Sequence, residues 1–161
     1  MDVALHPDVA SLAGLIGTWT GSGEGRYPTI EPFRYSETVE FGHVGKPFVA
    51  YRQSTVNLGS GLPAHAEAGY LRGIGEGRIE LVLAQPSGIV EVAEGTVAAV
   101  AGGLRISLHT TSVTGTPTAK DVHSIERTIE VTGDTLTYDL AMSAVGQPLQ
   151  HHLAAELHRT A

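Results

Sequence analysis

Residues 33–41, FRYSETVEF, alternate: Phe33, Tyr35, Val39 and Phe41 fall on one side, and Arg34, Ser36, Thr38 and Glu40 on the other. A period of two marks a half-buried β-strand, because successive side chains point to opposite faces of the pleat. The pattern continues outward from this stretch. It returns in KPFVAYRQSTV, AEAGYLRGI, RIELVLAQ, GIVEVAEGTVAAV, LRISLHTTSV, DVHSIERTIEV and TLTYDLAMSAV. Between these runs lie NLGSGLP, GEG, PSG, AGG, TGTPT and TGD, whose Gly, Pro, Asn and Asp supply turn conformations. About eight to ten strands at regular spacing predict an all-β, antiparallel up-and-down barrel or a sandwich. A barrel of about ten strands is wide enough to enclose one small ligand.

Upstream of the first strand, HPDVASLAGLIG reads as a short N-terminal helix. Pro7 suits the first helical position, Asp8 complements the positive end of the dipole, and Leu12 and Ile16 recur at i, i+4 before Gly17 ends it. No internal repeat, linker or low-complexity segment interrupts the chain, so residues 1–161 are expected to form one domain.

Composition narrows the function classes. The 161 residues include no cysteine, which removes disulfides, thiolate metal sites and covalent haem attachment. A net charge of −7 argues against a nucleic-acid partner and means that any anionic ligand must be drawn in locally. No apolar run approaches the roughly 18 residues of a membrane span. The N-terminal MDVALHPDVASL has no basic region ahead of an apolar core, so a cytoplasmic location is expected.

Two stretches carry candidate chemistry. In GTWTGSGEGRYPTI, residues 17–30, the only tryptophan, Trp19, sits among Gly17, Gly21, Gly23 and Gly25. The glycine spacing is not a phosphate loop, because Pro28 and Pro32 forbid the helix such a loop must open. Alternate glycines on a strand permit tight bending or close approach of a flat ligand. The second stretch, QPLQHHLAAELH, gathers His151, His152, Glu156 and His158. On a helix His152 and Glu156 share a face; on a strand His152, Glu156 and His158 do. Either arrangement offers metal or cofactor ligands that need partners from elsewhere. Neither an HExxH helix nor a nucleophile elbow is present.

The G-x-W-x-G-x-G run from Gly17 to Gly23 resembles the signature of the nitrobindin family. The likeness continues through YPTI, GKPFVAYRQ, HAEAGYLR, ELVLAQPSGIVEV and AVGQPLQHHLAAELHR, and so covers nearly the whole chain. It implies a ten-stranded barrel of the fatty-acid-binding-protein type, with one non-covalent haem b per chain in a cleft at one end. The family's proximal histidine sits in a PLQxHL element, which falls on PLQHHL. His152 is then the axial ligand of a ferric iron, and His151 takes the solvent-facing variable position. His65 matches a distal-wall histidine, and Thr29 a haem-contacting threonine. A haem-contacting lysine matches Lys120, although ungapped matching lands on Asp121. Lys120, Arg34 and Arg26 are candidate partners for the haem propionates.

In the same reading Trp19 caps the closed end, and the glycines curve the strand and keep bulk from the cofactor rim. The resemblance further implies isomerisation of peroxynitrite to nitrate and reversible nitric oxide binding, and it admits a homodimer. The alternatives are a non-catalytic, lipocalin-like carrier of an apolar small molecule, or a nitric oxide carrier or sensor.

Overall fold

FRYSETVEF lies inside a longer strand in the computed structural model, which describes residues 2–161. Among the described residues ten strands form one closed antiparallel barrel: β1 (Gly17–Tyr27), β2 (Ile30–Gly42), β3 (Phe48–Asn57), β4 (Pro63–Gly75), β5 (Arg78–Gln85), β6 (Ile89–Val100), β7 (Gly103–Gly115), β8 (Val122–Thr132), β9 (Thr135–Ala144) and β10 (Gln150–Arg159). Each strand pairs with its sequence neighbours, and β10 pairs with β1 to close the ring. Closure leaves no free sheet edge. Glu76 and Gly77 both take positive φ in the β4–β5 turn, the conformation that matches a tight hairpin to strand twist. No helix among the described residues is long and apolar enough to cross a membrane.

The N-terminal helix is present, but as a 3₁₀ helix, Pro7–Leu15, capped by the His6 side chain. Its buried residues are Val9, Leu12 and Leu15. Ile16, expected on the helix face, is instead the C-cap. Spacing of three is the reason: side chains at i and i+3 eclipse in a 3₁₀ helix, so this apolar set forms one stripe. The stripe closes one end of the barrel against Trp19 and Leu71, Ile106 and Leu157. A Cβ on Gly73 of β4 would collide with the Asp8 carbonyl, so only glycine lets the plug seat this deeply.

Trp19 is fully buried at that end. Its indole N–H donates to the Leu15 carbonyl at 2.8 Å. The Arg159 guanidinium lies 4.2 Å over its ring and also donates to the Gly14 and Ile16 carbonyls. The following glycines clear space for side chains on the strands beside β1. A Cβ at Gly23 would press into the Tyr35 ring, one at Gly25 into the Phe33 ring, and one at Gly21 into Leu157 and the neighbouring backbone. The alternation of β1 therefore leaves room for side chains of the neighbouring strands β2 and β10.

Candidate functional site

β10 settles the helix-or-strand alternative in favour of a strand, with an irregularity that regular alternation could not show. His151 pairs with Ala141 and Leu153 with Leu140, so His152 is an extra residue opposite none. A bulge of this kind re-aims side chains locally. Here it turns His152 and Leu153 together into the cavity, while Glu156 and His158 stay outside, with their side chains 3.1 Å apart. The expected shared face of His152, Glu156 and His158 is thus broken. Among the described residues no three His, Asp or Glu side chains gather as a metal cage.

The cavity, about 280 Å³, runs along the barrel interior from Phe33 and His152 to Phe41. His152 is half-buried. Its Nδ1 lies 3.0 Å from the Arg26 carbonyl, so Nδ1 carries the proton and donates. Nε2 then holds a bare lone pair and has no hydrogen-bond partner among the described residues. Burial lowers the pKa of this histidine; the Arg26 carbonyl opposes that effect without reversing it, and the neutral form is favoured. Tyr27 meets the ring edge-on at 5.2 Å, and Phe33 at 6.4 Å. Tyr27 is itself fixed, donating to the Met142 carbonyl at 2.9 Å and accepting from the Ala144 amide at 3.0 Å.

His65, on β4, lines the same cavity. Its backbone N–H donates to Thr55 Oγ1 (2.8 Å) and its carbonyl accepts from the same hydroxyl (3.0 Å), where the β3–β4 register shifts. Its Nε2 lies 3.2 Å from Glu67 Oε2. The structure therefore brings His152 and His65 to one cavity and leaves the other expected residues outside it. Thr29 is exposed in the β1–β2 turn, with its neighbour Ile30 lining the cavity instead. Lys120 is exposed in the β7–β8 connection and does not line the cavity, nor does Asp121. Gly17 and Trp19 belong to the closed end, Gly21 and Gly23 to the packing of β1. Arg26 and Arg34 flank the mouth, in a shallow groove with Ile30, Phe33 and His151.

Alternation also hides charges in the interior. Glu37 has the parity of Tyr35 and Val39, Arg127 that of Ile125 and Ile129, and Glu91 that of Ile89 and Ala93. A charged residue in an inward position was the signal available in the sequence. Arg127 Nη1 and Nη2 grip the fully buried Glu91 at 2.5 and 2.9 Å, and Nη2 reaches Glu67 at 3.4 Å. Burial, the largest single effect, would raise the Glu67 carboxyl, but the Arg127 charge, the charge and hydrogen bond of His65 and the Tyr51 hydroxyl together outweigh it and hold it at about 2.

Glu37 has no such cation. Its partners are Gln53 Nε2 at 3.2 Å and the Tyr138 hydroxyl at 2.6 Å, with Tyr35 a further 2.7 Å along. Burial pushes its carboxyl up to about 7, against those two hydrogen bonds. A raised carboxyl holds its proton more tightly when folded, so stability falls as pH rises from the ordinary 4.5 through about 7 and is flat beyond. The expected loss is about 3 kcal/mol. Glu37→Gln should abolish it: the Gln53 amide can turn over to accept from the new amide, while Tyr138 keeps an acceptor. Urea denaturation of both proteins from pH 5 to 8 checks this, since contributions from other groups cancel in the difference.

Comparison with known proteins adds a family and relatives. Residues 8–159 match the family described as THAP4-like, heme-binding beta-barrel domain. The chain is 56% identical over 159 residues to a protein named peroxynitrite isomerase 2 from Mycobacterium avium, covering 99% of each. It is 51% identical to a peroxynitrite isomerase from Nocardia farcinica, over 98% of this chain and 94% of that one. The crystal structure of Rv2717c from M. tuberculosis superposes with a TM-score of 0.95 at 48% identity, covering 98% of this chain and 100% of that one.

Proposed function

Because the chain belongs to the THAP4-like, heme-binding beta-barrel family, we propose that it holds one haem b through His152 and isomerises peroxynitrite to nitrate there. The observation that carries the assignment to His152 is the bulge of β10, which presents a neutral imidazole to an apolar cavity with Nδ1 engaged and Nε2 bare. That is the donor chemistry an axial haem ligand requires. When bound, a ferric haem would supply a Lewis-acidic iron for an anionic oxidant.

The chain's own residues do the rest. The Arg26 carbonyl, Tyr27 and Phe33 fix the plane of the His152 ring. Phe33, Leu140, Met142 and Leu153 form apolar walls that would limit the access of water to a bound oxidant, with Ile30 at the exposed mouth. His65, tethered through Nε2 to Glu67, leaves Nδ1 to meet a ligand entering the cavity. Arg26 and Arg34 at the mouth suit the propionates and oppose the net charge of −7 when an anion approaches. The contacts of Thr29, beside Ile30 in the β1–β2 turn, and of Lys120, in the β7–β8 connection, would be made to haem at the cavity mouth rather than inside it, and belong to the same proposal. Reversible nitric oxide binding at the same site and a cytoplasmic location belong to the same proposal.

A carrier of the fatty-acid type fits the interior poorly. A carboxylate would face Glu37, Glu67 and Glu91 with only Arg127 as cation, and Arg127 is already committed. The test is peroxynitrite decay with the hemin-loaded chain, the hemin-free chain and hemin alone. Faster decay with a higher nitrate yield in the loaded chain than in both controls is expected; equal rates for the loaded chain and hemin alone would overturn the reading.

A further inference from the structure

The barrel interior holds more polar chemistry than the proposed reaction uses. Glu37, 4% exposed, and Gln53, 5% exposed, both line the cavity. Gln53 Nε2 is spent on Glu37, but its Oε1 is buried with no hydrogen-bond partner among the described residues. A buried acceptor left unpaired beside a cavity calls for a donor to occupy that space. The phenols nearby offer none. Tyr138 donates to Glu37, which leaves its oxygen to accept from Tyr35, so Tyr35 presents only lone pairs. The cluster is therefore a set of acceptors.

Charge points the same way. The interior contains three carboxylates, Glu37, Glu67 and Glu91, and one guanidinium, Arg127. Arg127 is committed to Glu91 and Glu67, which leaves Glu37 with neutral partners only. Around this cluster the wall is apolar, with Val39, Phe41, Leu136 and Leu140. We propose that the Glu37–Gln53 cluster is a binding subsite for a primary ammonium on a small apolar or aromatic body. The head would donate to Gln53 Oε1 and the Glu37 carboxylate, and the body would lie on the apolar wall.

An ammonium carries three donors and a compensating charge, and so answers both deficits at once. An alcohol answers only the Gln53 acceptor, and a carboxylate answers neither. The subsite goes beyond the haem reading: it lies in the same cavity as His152, and titration of the hemin-free chain lets the two readings fail separately.

The test is calorimetric titration of the hemin-free full chain at pH 8 with 2-phenylethylammonium, 2-phenylethanol and 3-phenylpropionate. Glu37→Gln removes the charge at the cluster; Glu156→Gln, on the outer face of β10, controls for attraction to an acidic surface. Melting curves confirm that both variants are folded. Expected are one ammonium per chain, bound at least tenfold more tightly than the alcohol, and no binding of the propionate. Glu37→Gln should then lose at least tenfold and Glu156→Gln nothing measurable. Absence of saturable ammonium binding, similar affinity for all three probes, or equal losses in the two variants would overturn the proposal.

Discussion

Arg127→Met is expected to destabilise the barrel by about 3–5 kcal/mol, the range for breaking a buried ion pair on one side only. Glu91 is wholly enclosed and Glu67 nearly so, and among the described residues the Arg127 guanidinium is the only arginine or lysine group within reach of either. Removing it leaves two carboxylates that must either stay charged in an apolar interior or take up protons. The consequence for pH follows from the sign of the Glu67 shift. Its carboxyl is held at about 2, so in the native protein it contributes stability that is present above about 4.5 and lost as pH falls toward 2. In Arg127→Met that contribution disappears, and the variant should be less destabilised in acid than at neutral pH. Urea denaturation at pH 4 and pH 7 measures both effects. The double variant Arg127→Met, Glu91→Gln should recover part of the loss, because the remaining amide can still pair with Gln85. Equal stability of wild type and Arg127→Met at pH 7 would show that the buried network is not acting as an ion pair.

The second large effect concerns haem. Hemin titrated into wild type should saturate at one per chain with a histidine-ligated ferric spectrum. His152→Ala should weaken binding by more than the roughly 10–100-fold that follows loss of an outer partner of a ligand. His151→Ala should change little, because His151 is exposed and lies 3.9 Å from Asp139 on the outer wall. Adjacent histidines with opposite outcomes are what the β10 bulge requires. If the two variants behave alike, the bulge does not govern ligation.

These predictions also show what a single sequence reveals. Alternation such as that of Phe33, Tyr35, Val39 and Phe41 is enough to place strands, because pleat periodicity follows directly from backbone geometry. The plug was legible as a helix, yet its 3₁₀ form was not. Leu12 and Ile16 match a four-residue spacing, and only contact with the barrel end shows that Val9, Leu12 and Leu15 are the stripe that is buried. His152 could be singled out by likeness but not oriented, since a bulge changes which residues face inward and leaves no mark in the composition. Thr29 and Lys120 were carried over on the same likeness and lie outside the cavity. The interior charges were missed for another reason. The parity of Glu37, Glu91 and Arg127 marks them as inward, but the groups they meet cannot be read from it, because their partners lie up to 101 residues away.

The seam between β1 and β10 has a consequence for biosynthesis. The carbonyl that orients His152 belongs to Arg26, 126 positions earlier in the chain. Thr18 bonds to Thr160 and Ala161 across the same seam. A ribosome making this protein therefore releases the first wall of the pocket long before the histidine that completes it. Until β10 has left the exit tunnel there is no ring, no bulge and no fixed imidazole, so the nascent chain has no pocket with which to capture cofactor. Haem acquisition must follow the emergence of β10, and supply of haem to the closed barrel, rather than to the partly made one, becomes the step at which its maturation can be controlled.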